Sequence, residues 1–162
     1  MASSIRRLST TMLDKSRHRN SYKWYIAIQS RWMDNDQYAH INNVQYHSYF
    51  DTAVNIHLVR VCPCPPAARA KALVKANSCT YFKPMTYPSV IHVGLVVEAI
   101  GNSSVSYRLA TFENEETDAS AVGRFTHVYV DSETGRPANV PEYIRTGLCG
   151  VVVDAPHIKA SI

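Results

Sequence analysis

The sequence predicts an α+β fold in which one long helix is followed by a run of antiparallel strands that wrap around it. Two observations carry this expectation. Between Tyr46 and Ile56 the apolar residues recur at spacings of three and four, the period of one helix face. Beyond Pro63 the apolar residues alternate with a period of two, in segments separated by Gly, Asn, Asp and Pro.

In chain order, Trp24 to Trp32 reads as a first strand with Ile26 and Ile28 on one face. The pattern breaks at Asp34, where the run DNDQYAHINN is rich in residues that bond to nearby backbone and favour turns and helix caps. Asn42 or Asn43 is the natural N-cap of the helix, and Tyr46, Tyr49, Phe50, Ala53 and Ile56 form its buried face. The helix ends before Pro63, because Cys62 precedes a proline and is pushed out of helical geometry. Lys71 to Phe82 is the next strand, closed by Lys83-Pro84 and Pro88. Ile91, Val93, Leu95, Val97 and Ala99 then alternate along one face up to the turn at Gly101-Asn102. Val105, Tyr107 and Leu109 form a partner strand that runs to the acidic turn Glu113 to Asp118. Ala121 to Val130 is β-branched and aromatic, and ends at the turn Asp131 to Gly135. Pro137, Pro141 and Pro156 predict an irregular C-terminal region to which Val151 to Val153 add a short strand. Internal repeats and low-complexity segments are absent from the sequence.

Composition bounds the function. The chain of 162 residues, 46% apolar and 19% charged, is sized for one domain with a real core. We expect residues 21–162 to form that domain. Residues 1–20 are expected to be a tail or a mitochondrial presequence, since Met1 to Leu13 holds Arg6, Arg7 and several hydroxyl residues but no acid. The expected compartment is therefore mitochondrial or cytoplasmic. A net charge of +4 spread without basic runs gives no nucleic-acid footprint and is compatible with an anionic small molecule. Apolar runs fall short of the roughly 20 residues that a membrane helix needs. Cys62, Cys64, Cys79 and Cys149 form no CxxC pair, so free thiols are expected rather than a zinc site.

The chemistry concentrates in RWMDNDQYAHINNVQYHSYFD, residues 31–51. Two carboxylates, an imidazole and two amides stand just before a helix N-terminus, where unpaired N–H groups and the helix dipole favour negative charge. Such a place can stabilise an oxyanion while a nearby carboxylate activates water or attacks a carbonyl. The run D-x-D-x-x-x-H-I-N-N-x-x-Y resembles the signature of the 4-hydroxybenzoyl-CoA thioesterase-like branch of the hotdog superfamily, and also that of the plant acyl-ACP thioesterases. The Asn77 to Pro88 region, the Gly123 to Val128 strand and the Thr134 to Pro137 turn suit the same family, so the resemblance spans roughly residues 22 to 145.

The resemblance implies a hotdog fold, an antiparallel sheet wrapped around one long central helix, and hydrolysis of an acyl-CoA or acyl-carrier-protein thioester. It assigns catalysis to Asp36, with His40 and the backbone N–H near Asn43 as its companions, and substrate contacts to Tyr38, Asn42 and Tyr46. Where the acyl-ACP members carry asparagine, this chain has Tyr38, which receives a pocket-lining role instead. The resemblance also implies a homodimer or homotetramer, with no metal and no organic cofactor. From the residues alone, Asp36 could simply cap a turn and Asn42 and Asn43 could be plain helix caps. Three competing readings remain: an enoyl-thioester hydratase, which the four-residue spacing of Asp36 and His40 disfavours; a metal site from Asp34, Asp36 and His40, which lacks a fourth ligand; and a binding module that holds acyl thioesters without turnover.

Overall fold

The computed structural model describes residues 15–153 apart from 64, 66 and 67. Strands β1 (Trp24–Gln29), β2 (Ala70–Tyr81), β3 (Val90–Ile100), β4 (Ser104–Glu113) and β5 (Ala121–Asp131) form one antiparallel sheet in the order β1-β3-β4-β5-β2. Helix α1 (Asn43–Val61) lies along one face of it. Tyr46, Tyr49 and Phe50 of α1 pack with Val93, Leu95 and Val97 of β3, Tyr107 and Leu109 of β4, and Phe125 of β5. Each such side chain contributes about 1.5–3 kcal/mol on burial. The helix can approach this closely because position 123 is glycine: a Cβ there would run into the Phe50 ring and stand 2.8 Å from the Ser78 carbonyl. The α+β hotdog arrangement expected from the sequence is the one found.

On the opposite face a smaller cluster of Tyr22, Val96, Ala110, Phe112 and Val122 is covered by the segment leading into β1. The Tyr22 hydroxyl donates to the Ser16 carbonyl at 2.7 Å, and the Arg19 N–H donates to the Thr117 carbonyl at 2.8 Å. The Arg19 guanidinium reaches the Asn114 carbonyl at 2.6 Å. Residues 15–20, assigned to a tail on sequence grounds, are thus packed against the sheet. The presequence expectation rests on Met1 to Leu13, which lie outside the described residues, as does Cys64 of the zinc alternative.

Several boundaries differ for physical reasons. Strand β1 stops at Gln29 rather than Trp32, because Ser30 and Ser89 exchange hydrogen bonds at 2.8 Å and the chain then enters a 3-10 turn at Trp32–Asp34. The buried stripe of α1 passes through Val54 and His57, leaving Ile56 only half-buried. Ala99 leaves the inner face because the β3–β4 register shifts between Val97 and Ala99. The C-terminal region is more ordered than its prolines suggested: Glu142–Leu148 forms helix α2, with Pro141 at the N-cap, where a ring costs no hydrogen bond. Arg145 of α2 donates to the Gly101 carbonyl at 2.6 Å, tying the helix to the β3–β4 turn. In place of a strand at Val151 to Val153 there is a 3-10 turn at Cys149–Val151 and a single parallel bridge from Val152 to Val97.

Strand β2 is an edge. Among the described residues it pairs with β5 alone, is exposed along nearly its whole length, and leaves Leu73 and Val74 about half in solvent. Among the described residues no helix is long and apolar enough to cross a membrane.

Candidate active site

The two aspartates of the D-x-D pair have different surroundings. Asp34 is completely buried. Its Oδ2 accepts from the Arg31 N–H and the Tyr49 hydroxyl, both at 2.8 Å, and its Oδ1 accepts from Arg31 Nε at 3.0 Å and Nη2 at 2.8 Å. Burial alone would push this carboxyl up, but the hydrogen bonds from Arg31 and Tyr49 hold it below the usual carboxylate range. Its backbone carbonyl also accepts from the Asn42 N–H at 2.8 Å. Asp34 therefore clamps the loop onto α1 and is not available to a substrate.

Asp36 is only partly buried. Its Oδ1 accepts from the Tyr38 N–H at 2.8 Å and the His40 N–H at 3.2 Å, while its own N–H donates to the His40 carbonyl at 2.7 Å. The loop thus folds back on itself, and Ala39 takes a left-handed conformation at φ 62 to let it do so. That conformation is uncommon for a residue with a Cβ, and such strain concentrates at functional sites. The Ile41 N–H donates to the Met85 carbonyl at 2.8 Å and pins the loop beside the segment after β2. Asn42 is the N-cap of α1, its Oδ1 accepting from the Val44 N–H at 3.1 Å.

These contacts leave a cleft of about 380 Å³ in which Asp36, His40, Asn43 and Tyr46 meet. Asn43 is the first residue of α1, where backbone N–H groups lack intrahelical acceptors and the dipole is positive. Two expected members do not line the cleft. The Tyr38 side chain is 71% exposed, and Asn42 serves as the cap. Two further polar members were not singled out from sequence. Tyr81 donates to the Asn43 carbonyl at 3.2 Å and stacks edge-on against Tyr46 at 5.0 Å between ring centres. Lys83, paired with Glu116, puts a cation on the rim. The available signal was the Lys83-Pro84 strand ending, which sequence alone could not bring opposite the loop. Burial pushes the Tyr46 and Tyr81 phenols up to about 12, so both stay neutral.

A second cavity of about 380 Å³, lined by His18, Arg19, Tyr22 and Tyr25 on the far face of the sheet, has no carboxylate in its walls. His57 and His127 are buried, and burial holds both below the usual imidazole range. Both are buried residues away from the cleft.

An antiparallel sheet packed over one central helix, with a carboxylate cleft at the helix N-terminus, defines a protein of the hotdog class. The family profile described as Thioesterase-like superfamily matches residues 30–148, and the chain belongs to that superfamily, which makes it a thioester hydrolase by class. Among solved structures it is similar to the PA5185 protein of Pseudomonas aeruginosa, at 40% identity and TM-score 0.81 over 86% of this chain and 99% of that one. A predicted thioesterase from Bacillus stearothermophilus shares 24% identity with a TM-score of 0.71, covering 82% of this chain and 98% of its own. A thioesterase from Thermus thermophilus complexed with coenzyme A and zinc shares 24% identity with a TM-score of 0.66, over 78% of this chain and 92% of its own.

Proposed function

We propose that the protein cleaves an acyl-CoA or acyl-carrier-protein thioester to a free acid and a thiol, with Asp36 as the reacting carboxylate. The observation that supports this reading is the meeting of Asp36, His40 and Asn43 in one cleft at the first turn of α1. The thioester carbonyl would lie against the N–H at Asn43, where the amide and the helix dipole stabilise the oxyanion that develops on attack. Ionised Asp36 takes a proton from the attacking water, or attacks the carbonyl itself to give an anhydride that water then opens. In either route the C–S bond breaks and the thiolate leaves with a proton, for which His40 is the donor in the cleft. Tyr46 forms part of the wall against which the substrate sits, and Asn42 acts by fixing the helix start. Tyr38, on the exposed side of the loop, would meet the substrate only outside the cleft.

The CoA complex of the Thermus relative supports a CoA thioester as the substrate class. A homodimer is supported by the twelve-residue exposed edge of β2, an unpaired ladder that a second copy can extend. Homotetramers can follow from two such dimers. The test is thiol release from short, medium, long and aromatic acyl-CoAs and from acyl carrier protein thioesters. Single-turnover reactions in ¹⁸O-water report the anhydride route when water opens it at the Asp36 carboxyl carbon, because the label then enters Asp36 and the first product is free of it, whereas general-base attack labels the product. Failure to cleave any member would favour a binding module.

A further inference from the structure

On the sheet face away from α1, Arg108 of β4 and Arg124 of β5 stand directly opposite each other across an antiparallel pair. Like charges in that register repel, so the placement needs an anion. Glu98 of β3 supplies one carboxylate for both, at 2.9 Å from Arg124 Nε and 3.6 Å from Arg108 Nη1. Two guanidiniums against one carboxylate leave a positive charge over. Arg108 Nε is buried without a hydrogen-bond partner among the described residues. The two arginines border a small, largely enclosed cavity of about 40 Å³ whose other polar walls are Ser16, Ser78 and Thr80.

We propose that this cavity is an anion site that takes one phosphate group, held by the guanidiniums of Arg108 and Arg124 and by the neighbouring hydroxyls. Planar guanidiniums match the geometry of phosphate oxygens, and hydroxyl donors complete the shell without adding charge. The cavity has room for one tetrahedral group and not for a nucleoside. It lies apart from the Asp36 cleft and shares none of its lining residues. The phosphate has two sources: free in solution, or carried on a nucleotide such as coenzyme A. Only the second rests on the thioester reading.

Titration calorimetry of the full chain at constant ionic strength, with inorganic phosphate and with adenosine 3′,5′-bisphosphate, tests the site. Saturable phosphate binding is expected, weakened at least about tenfold by Arg124→Gln, as removal of a charge-assisted hydrogen bond predicts. Thiol release should be unchanged in that variant if the phosphate is free. If adenosine bisphosphate binds more tightly than phosphate and coenzyme A displaces it, the source is the nucleotide, and KM for acyl-CoA should rise in Arg124→Gln. Arg108→Gln should act in the same direction. Because Arg108 also stacks over Tyr22, the exposed Arg124 is the variant that keeps the test valid should the other fail to fold. No saturable binding of either ligand, or binding indifferent to Arg124→Gln, would overturn the proposal. Neither result depends on whether the protein hydrolyses thioesters.

Discussion

Replacing Asp34 by Asn removes one charge from a site with no solvent exposure while keeping the side chain's shape. The carboxylate accepts four hydrogen bonds, two on each oxygen. An amide carbonyl can serve the donors on one side, but its NH₂ group then faces the donors on the other. If it keeps the Arg31 guanidinium, the Tyr49 hydroxyl and the Arg31 N–H lose their acceptor. A buried donor left unsatisfied costs about 1–3 kcal/mol. The Arg31 side chain is 59% exposed and can turn back to water, so the lost ion pair itself adds little. The expected cost of Asp34→Asn is therefore about 2–4 kcal/mol. Urea denaturation followed by circular dichroism near neutral pH measures it, with an unchanged slope expected. Asp36→Asn is the control: its amide oxygen can still accept from the Tyr38 and His40 N–H groups, so its stability should stay within about 1 kcal/mol of the parent. A cost for Asp34→Asn below about 0.5 kcal/mol would refute the assignment of Asp34 as a structural clamp.

Leu73→Asp, on the exposed edge of β2, should shift the protein toward monomer in size-exclusion chromatography with light scattering, while an unchanged mass would remove β2 as the interface. Gly123→Ala should cost about 1–3 kcal/mol in chemical denaturation, because its methyl would overlap the Phe50 ring. Burial holds His57 and His127 below 6.5, so the unfolded chain takes up protons before the native one. Stability should be full above about pH 6.5 and fall as the pH drops below it, with a shallower fall in His127→Gln. A pH-independent unfolding free energy across that range would contradict the burial argument.

The fold was legible where local pattern and tertiary packing agree. The three-and-four spacing from Tyr46 to Ala53 and the alternation from Ile91 to Val97 both mark residues that face the core between helix and sheet. It was less legible where one contact decides. Ala99 carries the right periodicity, but a register shift puts it outside, and nothing in the residue type announces that shift. Helix α2 was hidden because Pro141 reads as a breaker until Arg145 is seen anchoring the helix to the β3–β4 turn. At the site, the residues within one local segment could be found from their order, and the loop from Asp36 to Asn43 brings three of them together. Tyr81 and Lys83 arrive from a strand end about forty residues away, so only the sheet pairing reveals them. The clamp role of Asp34 was likewise invisible, since it depends on which carboxylate Tyr49 meets after the helix forms.

Thiol release from the preferred acyl thioester by the parent chain and by Asp36→Asn, both shown to be folded, tests the central claim most directly. Hydrolysis by the parent and a loss of kcat of about a hundredfold or more in the variant are the expected result. Equal rates for the two proteins would contradict the role assigned to Asp36.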